Sequence, residues 1–530
     1  MEGLTRKRQG CYIVMIPRIY RKLLTSLIFT VAFCFAFLSL AQASSGRIRI
    51  LYANDFHGFA EPYRPAGSQE LVGGIAYLAA RIDELRGDES IPTLLLSAGD
   101  MIQGHLWTNL NQGKATIDLM NYMKFDAMVV GNHEFDFGQT VLKERIAQAN
   151  FPILGANVTG VPVLKPYVIR TVGGMRVGIV GIVTGQVPIL THPDNIVGLS
   201  FVKPVEICRQ IITEVRKQSD VVIALTHIGF EDDHLLAEEC SGIDAIIGGH
   251  SHTKVSEPPM IGGVIVLQAW EHAKSLGVLD LTMEDARITN KHGYLLEIKP
   301  ATGPADKQAE AIVARYAATV DGSMKVVFGS VCRDLDNQNV RVQETSLGNM
   351  IADSLRETSR ADIALINAGS IRTNLKGGGV TLKDIYSILP FDTYVVTMDL
   401  KGGQILQALE HGLSMIEKKS GAFLQVSGLQ VIYDANEPAG RRVKEVRVAG
   451  KRLNIDQSYR VAVNDFMAAG GDGYSILKSS TGPQGADKGL LVRDVVIAGI
   501  KAKGAVCPPT EGERIVQQLG QNVKDTGLRQ

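Results

Sequence analysis

A short polar run, Gly131-Asn132-His133-Glu134-Phe135-Asp136, directly follows the apolar stretch 127–130. Such a stretch is typical of a buried strand, so an amide, an imidazole and a carboxylate come together at its end. Carboxylate and amide oxygens and imidazole nitrogens are ligands that divalent metals accept in proteins. The run therefore indicates a metal site at the end of a strand.

Four other hydrophobic runs end in a similar way. Helix-like segments, among them 75–85 and 203–217, separate the runs, and this alternation is typical of βα units. Because ligands of open α/β sheets gather at the carboxyl ends of the strands, we expect the polar residues that follow these runs to converge on one site. These residues are Asp55, His57, Asp100, His227, His250 and His252.

Each of these motifs alone has a plain structural explanation. Asp55-x-His57 is typical of a surface turn, and the glycines before His250 are typical of a tight turn. For His227, the alternative to metal binding is a structural role as a buried histidine that is hydrogen-bonded to the backbone. Five ligand-bearing strand ends in one chain are hard to produce with solvated loops, so the metal interpretation is favoured for the set.

In this order, the segments resemble the calcineurin-like metallophosphoesterases and, more closely, the secreted and periplasmic 5′-nucleotidases. The resemblance implies two divalent metal ions, Zn, Mn or another, that activate water for attack on a phosphate ester. His252 stands where several members carry Gln or Asn, which leaves the metal identity open. The implied ligands are Asp55, His57, Asp100 and His252 for metal one, and Asp100, Asn132, His227 and His250 for metal two, with Asp100 bridging.

The same resemblance implies a catalytic pair. His133 would stabilise the transferring phosphoryl group, and Asp136 would orient His133. An alternative for Asp136 is a helix N-cap, because Asp commonly starts helices and residues 138–149 have a helical pattern. His105 is a weaker candidate, in a loop that either lines the substrate or is structural.

The N-terminus has the pattern of a targeting segment. A basic stretch ending at Arg21-Lys22 precedes the apolar run 23–40, and Ala41-Gln42-Ala43 has the small-x-small form of a signal-peptidase site. We therefore expect residues 1–43 to be a cleaved signal peptide and the mature protein to be periplasmic or secreted, without a stable membrane span. The alternative is a transmembrane anchor, because the run approaches the roughly 18 apolar residues that cross a bilayer.

Composition excludes some classes of partner. With 45% hydrophobic and 21% charged residues, most of the 530-residue chain should be buried in domain cores. Without residues 1–43 the chain has 49 basic and 54 acidic residues, a net charge of −5, which disfavours binding to a nucleic acid polymer. The oligomeric state stays open.

Four cysteines remain after residue 43: Cys208, Cys240, Cys332 and Cys507. In an oxidising compartment they allow one or two disulfides, and the sequence does not choose among the pairings. None of them has zinc-ligand spacing.

The chain divides after residue 300. Proline and glycine in the stretch 300–304 precede a helical pattern over 305–320, and new hydrophobic runs begin after Ser323. With the family resemblance, this division implies an α/β protein with an N-terminal four-layer α/β metallophosphoesterase sandwich (44–303) and a linker helix (304–322). A C-terminal α/β substrate-binding domain (323–530) would follow.

Four short passages of the second half match the C-terminal domain of 5′-nucleotidases: Arg341-Val342-Gln343-Glu344-Thr345 with Gly348-Asn349, Asn367 to Arg372, Leu389-Pro390-Phe391, and Phe466 to Tyr474. Aromatic pairs stack nucleobases, and arginine supplies forked donors for phosphate oxygens. The alternatives are core positions for the two phenylalanines and a tight turn for the Gly-Gly-Asp-Gly run. The resemblance implies base stacking for Phe391 and Phe466, ribose binding for Asp472, and ribose and phosphate contacts for Arg341, Asn367 and Arg372.

Two residues depart from the family pattern. Ser370 replaces a glycine before Arg372 and is expected to shift this arginine slightly. Asp392 follows Phe391, where small or amide residues are frequent, and is expected to place a carboxylate near the base. Both departures leave the base preference open.

The resemblance implies an exported dinuclear-metal phosphohydrolase that converts nucleoside 5′-monophosphates to nucleoside and phosphate, with di- and triphosphates and UDP-sugars as further candidates. One alternative is a 2′,3′-cyclic-nucleotide phosphodiesterase/3′-nucleotidase, disfavoured because those relatives tend to carry Asn at the position of Asp136. A more remote alternative is a thiosulfohydrolase of the same superfamily, disfavoured by the complete nucleoside pocket. A non-catalytic binding protein is disfavoured by the intact ligand set.

Overall fold

The computed structural model describes residues 46–64, 69–284, 287–318, 322–478, 490–507 and 514–518. The expected signal peptide, residues 1–43, lies outside these residues. In the described part of the chain, every helix is too short or too polar to cross a membrane.

Two six-stranded sheets form the centre of the first half. Most of their strands are buried on both faces, which explains why they are continuous apolar runs in the sequence. In spatial order, the first sheet contains Arg287–Glu297, Ser275–Glu284, Gly46–Ala53, Thr93–Ser97, Ala127–Val129 and Ile153–Leu154, and the second contains Met260–Ile261, Val264–Gln268, Ala245–Gly248, Val221–His227, Met175–Val183 and Tyr167–Val172. A separate pair joins Val158–Thr159 to Ser200–Phe201.

The sheets stack face to face, and helices cover their outer faces. In the strand Gly46–Ala53, Ile50 and Tyr52 pack between the sheets, whereas Leu51 points to the helices, as the two-residue period of a strand requires. The result is the expected four-layer α/β sandwich. The helices of the first half are Ile75–Arg86, Leu106–Asn109, Lys114–Tyr122, Gly138–Gln148, Val187–Leu190, Pro204–Gln218, Phe230–Glu239 and Lys307–Ala317.

The strands that precede the predicted ligands run parallel to one another within each sheet. Gly46–Ala53 pairs with Thr93–Ser97, which pairs with Ala127–Val129, and Val221–His227 pairs with Ala245–Gly248. Parallel strands place their carboxyl ends at one edge of the sheet. The five ligand-bearing ends therefore come from two stacked sheets rather than from one.

The second half has its own hydrophobic core and three small sheets. These sheets contain Gly378–Thr381, Val327–Val331 and Ala505–Val506; Val395–Lys401, Ser458–Asn464, Ile363–Asn367 and Leu424–Ser427; and Lys451–Arg452, Val443–Val448, Leu429–Tyr433 and Ile515–Gln517. Its helices are Ser346–Ser359, Leu382–Ile388, Gly402–Ser414, Asp465–Ala468 and Val492–Lys503.

Short 3-10 turns complete both halves. They are His133–Phe135, Pro193–Ile196, Pro300–Thr302, Gly322–Lys325, Ala368–Ser370, Ile416–Lys418, Gly471–Gly473 and Ser475–Lys478. Three of them carry residues that the sequence analysis singled out, namely His133, Ser370 and Asp472. The polar run and the glycine-rich run therefore each contain a tight helical turn.

The helix Lys307–Ala317 lies inside the stretch expected to link the halves. Asp306 caps it by accepting a hydrogen bond from the Ala309 N–H (2.6 Å). Ile312 and Val313 are buried in the hydrophobic core of the first half. The helix is thus fastened to the first half, and the chain crosses to the second half after Ala317.

A disulfide joins Cys332 to Cys507, 175 residues apart in the chain. Cys208 and Cys240 are buried and unpaired. The structure thus selects one pairing among those that the sequence left open. The disulfide fastens the end of the last helix of the second half to the region of its first strand.

Candidate metal centre and active site

The predicted ligands form two clusters at the shared edge of the two sheets. Asp55, His57 and His252 make one cluster, and Asp100, His227 and His250 make the other. Within each cluster the ligand atoms lie within 4.8 Å of one another. Residues that are remote in the sequence are therefore brought together, as the strand-end pattern predicts.

Asp100 lies between the two clusters. Its Oδ2 is 3.8 Å from Nε2 of His57 and 3.1 Å from Nε2 of His227. In the first cluster, Oδ1 of Asp55 is 3.2 Å from Nε2 of His252. Oδ2 of Asp100 therefore faces residues of both clusters.

The backbone turns sharply at these residues. Left-handed conformations are uncommon for residues other than glycine, and they concentrate at functional sites. Five of the seven predicted ligands adopt a positive φ: Asp55 (49°), His57 (48°), Asp100 (55°), His250 (81°) and His252 (53°). The strand ends are thus bent to aim side chains that a relaxed loop would not bring together.

Glycines leave space around the ligand atoms. A Cβ added to Gly131 would lie 2.1 Å from Oδ1 of Asp100, and one added to Gly249 would lie 2.8 Å from Nδ1 of His227. Neither position tolerates a side chain without displacing a predicted ligand. The close approach of the backbone to ligand side chains therefore explains the glycines in these motifs. A tight turn is part of this arrangement and does not compete with it as an explanation.

The residues present fit divalent metals. Nδ1 of His57 lies 2.8 Å from the Gln103 carbonyl, and Nδ1 of His227 lies 2.6 Å from the Ala98 carbonyl. A carbonyl only accepts, so each Nδ1 carries a proton, and each Nε2 is the nitrogen that would bind a cation, as in metal sites with an ordered outer shell. Within the described residues, the buried Oδ1 of Asn132 has no hydrogen-bond partner. A hard cation would supply the partner that this oxygen lacks.

Glu134 is a functional residue that the sequence analysis did not single out. Its carboxylate accepts hydrogen bonds from the backbone N–H groups of Gly131 (2.6 Å), Asp100 (2.9 Å) and Met101 (2.8 Å). Burial, together with the charge of Asp100, raises the pKa of Glu134 to about 7. The residue clamps two ligand-bearing loops, and its place within the polar run was the signal for it.

His133 and Asp136 form a hydrogen-bonded pair beside the clusters. Nδ1 of His133 lies 2.6 Å from Oδ2 of Asp136, and the His133 N–H donates to Oδ1 of Asp100 (2.9 Å). The helix that follows begins at Gly138 without a side-chain cap. The N-cap alternative for Asp136 is therefore wrong.

His105 has structural contacts. Its Nδ1 accepts a hydrogen bond from the Trp107 N–H at the start of a short helix, and its Nε2 lies 3.2 Å from the hydroxyl of Ser387 in the second half. Nearby, Asn109 donates to the Pro390 carbonyl (3.0 Å). The loop joins the two halves, and Asn109 rather than His105 lines the cavity between them.

A cavity of about 820 Å³ lies between the two halves. This volume is typical of small-molecule sites. On the side of the first half it is lined by residues of the clusters and by the His133–Asp136 pair. On the side of the second half it is lined by all six predicted substrate residues: Arg341, Asn367, Arg372, Phe391, Phe466 and Asp472.

Two arginines, Arg341 and Arg372, bring positive charge into this cavity, whose lining also contains carboxylates. Nη2 of Arg372 lies 3.3 Å from Nε2 of His57. Burial and the charge of Arg372 lower the pKa of Arg341 to about 10, so both guanidiniums are charged at neutral pH. Two such cations favour an anionic ligand.

A polar network surrounds Asp472. Asn367 donates to Oδ2 of Asp472 (2.6 Å), and its own Oδ1 accepts from the Ser370 hydroxyl (2.6 Å) and from Asn464 (2.9 Å). Asp472 itself has a left-handed backbone, with φ of 52°. Ser370 thus orients Asn367, a role different from the expected shift of Arg372.

The two phenylalanines are half-buried and both face the cavity. The Phe391 ring is stacked on His133, with 5.8 Å between the ring centroids. Asp392 forms a salt bridge with Arg493, which also lines the cavity. The sequence did not indicate Arg493, because no motif surrounds it. The carboxylate of Asp392 is therefore neutralised beside the aromatic site.

Two families match the chain in separate stretches. Residues 48–254 match the family described as calcineurin-like phosphoesterase. Residues 317–479 match the family described as 5′-nucleotidase, C-terminal domain. The two stretches contain the metal clusters and the second-half side of the cavity, respectively.

Known proteins match over both stretches together. The trifunctional nucleotide phosphoesterase protein of Bacillus subtilis (strain 168) is 33% identical over 82% of this chain, which spans only 33% of that longer protein. The snake venom 5′-nucleotidase of Crotalus adamanteus is 31% identical over 92% of each chain. The crystal structure of a 5′-nucleotidase precursor from Thermus thermophilus is 33% identical, covers 89% of this chain and 99% of that chain, and superposes with a TM-score of 0.83. The chain therefore belongs to the 5′-nucleotidase family of phosphoric monoester hydrolases.

Proposed function

We propose that this protein hydrolyses nucleoside 5′-monophosphates to nucleoside and phosphate, with di- and triphosphates and UDP-sugars as further candidate substrates. The observation that carries the proposal is the cavity between the halves, which joins the ligand clusters to the aromatic pair Phe391 and Phe466. Arg372 beside His57 supports a phosphate at the cluster end, and the network around Asp472 supports a ribose farther along. The activities for which the relatives are named support the same substrate class.

We propose further that the site holds two divalent cations. Asp55, His57, Asp100 and His252 would hold one, and Asp100, Asn132, His227 and His250 the other. Two such ions supply activation of water and neutralisation of charge on the entering and leaving oxygens.

The residues of the chain have separate tasks in this proposal. Arg372 and Arg341 bind and orient the phosphate through charge-assisted hydrogen bonds. Asp136 holds Nδ1 of His133, which directs the other edge of the ring to the transferring phosphoryl group. Phe391 and Phe466 stack the base, and closure of the cavity excludes bulk water.

The proposal extends to organisation and location. A catalytic domain (44–303) and a nucleoside-binding domain (323–530) would flank the linker segment 304–322. The small-x-small sequence after the N-terminal apolar run supports export after cleavage, to the periplasm or outside the cell.

A panel of substrates tests the proposed function. Mature protein reconstituted with metal should release phosphate from 5′-mononucleotides faster than from 3′-nucleotides, 2′,3′-cyclic nucleotides or UDP-glucose. A preference for 2′,3′-cyclic nucleotides would favour the phosphodiesterase alternative. Absence of phosphate release from all of them, with metal bound, would favour a binding protein.

The direction of water attack gives a second test. The two proposed ions would activate water, so we expect water rather than a side chain such as His133 to attack phosphorus directly. Single-turnover hydrolysis in 18O-labelled water should put the label in phosphate and invert the configuration at a chiral thiophosphate. Retention of configuration would indicate a phosphoenzyme and contradict the direct mechanism.

Ser370 offers a test of the ribose network. A Ser370→Gly variant, which has the residue usual in the family, should lose about 2- to 10-fold in kcat/KM for AMP, because one hydrogen bond to Asn367 is removed. Hydrolysis of p-nitrophenyl phosphate, which has no ribose, should be unchanged. Equal losses for both substrates would show that Ser370 acts through the fold instead.

A further inference from the structure

The segment after the strand Val264–Gln268 has an unusual backbone. Trp270, His272 and Ala273 all adopt a positive φ, at 68°, 55° and 54°. Three left-handed residues other than glycine in four positions are uncommon, and such strain persists only where surrounding contacts determine it. The feature lies outside the predicted ligand set.

Hydrogen bonds fasten this segment to the strand end that carries Asp55. The His272 N–H donates to the Asp55 carbonyl (2.8 Å). The side chain of Asn54 donates to the Trp270 carbonyl (2.6 Å) and accepts from the Ala269 N–H (2.8 Å). The segment is therefore held in a fixed position relative to the first ligand cluster.

This turn presents Glu271 to a predicted ligand. Oε2 of Glu271 lies 2.5 Å from Nδ1 of His252, and Oε1 forms a salt bridge with Lys274. A carboxylate only accepts, so Nδ1 of His252 carries a proton, and Nε2 is the nitrogen that would bind a cation. That Nε2 lies 3.2 Å from both Oδ1 of Asp55 and Nε2 of His57.

Glu271 and His272 are also close enough to His252 to suggest a third cation site. The contacts argue against it. Lys274 already neutralises Glu271, and the His272 ring is stacked on Phe59 with its Nδ1 beside the Tyr63 hydroxyl (3.1 Å). The arrangement instead matches a carboxylate that orients a metal-binding imidazole.

We propose that Glu271 is a positioning residue for the first metal site. This inference rests on the two-metal site proposed above. It fixes the tautomer and the direction of the His252 ring, and Lys274 and the left-handed turn hold Glu271 in place. A side-chain amide at position 252 would need no partner of this kind to present its oxygen. An imidazole does need one, because either ring nitrogen can carry the proton.

The experiment measures metal affinity and not activity alone. Wild type, Glu271→Gln and Glu271→Ala are dialysed in buffers of graded free Mn²⁺ and Zn²⁺, and bound metal is counted by mass spectrometry. Glu271→Ala should bind one of its two metals about 10- to 100-fold more weakly and keep the other. The metal affinity of Glu271→Gln should fall between those of wild type and Glu271→Ala, because the amide oxygen of Gln still accepts the hydrogen bond from Nδ1 of His252. Glu239→Gln, which removes a carboxylate paired with Arg209 at the surface, is the matched control and should behave as wild type.

The outcomes separate this inference from the proposed function. If wild type and both Glu271 variants bind two metals equally tightly, the role of Glu271 is wrong. The two-metal proposal then still stands. Equal weakening of both metals in a folded Glu271→Ala protein also overturns it, since only the first site contains His252. A wild type that binds no metal overturns the two-metal proposal itself. If Glu271→Ala does not fold, the Glu271→Gln measurement decides, and the visible spectrum of the Co²⁺ form reports whether one site has changed.

Discussion

Replacement of Asp100 by alanine should remove metal and activity together. Its Oδ2 lies between His57 and His227, so both sites lose a ligand in this variant. His227→Ala should release the second metal in the same way. His133→Ala should keep both metals and lose about 10²- to 10⁴-fold in kcat, the usual range for one positioned proton-transfer or phosphoryl-contacting side chain.

Metal analysis of the purified variants beside steady-state kinetics checks this expectation. Asp136→Asn is an informative companion, because it keeps the shape of the side chain but removes the carboxylate that orients His133. It should also keep both metals and lose rate. Loss of both metals from His133→Ala, with both retained in Asp100→Ala, would contradict the assignment of the two residues.

The sequence predicts much of the site because its ligands come from local patterns. Each apolar run indicates a strand, and each polar residue after it indicates a strand end, so the convergence of Asp55, Asp100 and His227 follows from the order of residues along the chain. The sheet to which each strand belongs has no local signal. The sequence therefore indicates the strand ends but not their division between two stacked sheets.

Residues that act through other residues were harder to predict. Glu134, Glu271 and Arg493 each owe their position to backbone groups or side chains that are remote in sequence. No spacing rule connects Glu271 with His252, 19 positions earlier, because two strands and the start of a left-handed turn intervene. Tertiary packing alone determines such contacts.

The linker helix shows a similar limit. Its composition predicts a helix, and the structure has one at Lys307–Ala317. The same composition does not reveal that Ile312 and Val313 are buried in the core of the first half. Packing against the first half, rather than local composition, determines that placement.

The contacts across the cavity show how the halves cooperate. His133 of the first half stacks on Phe391 of the second, and Arg372 reaches His57. A substrate held in this arrangement would have its phosphate at the clusters and its base against the phenylalanines. Chemistry and specificity would then reside in different halves, and closure would bring them together.

Truncation of both Phe391 and Phe466 to alanine separates these contributions. Aromatic stacking contributes about 1–3 kcal/mol per base, so the double variant should lose about 5- to 150-fold in kcat/KM for AMP. Metal content should be unchanged, because neither ring contacts a predicted metal ligand directly. The contact of Phe391 with the clusters passes through His133, which is not a ligand. Hydrolysis of p-nitrophenyl phosphate should be largely retained, since this substrate has no base to stack. Equal losses for both substrates at full metal content would mean that the phenylalanines act through the fold, and the second half would then not be the part of the protein that selects the nucleoside.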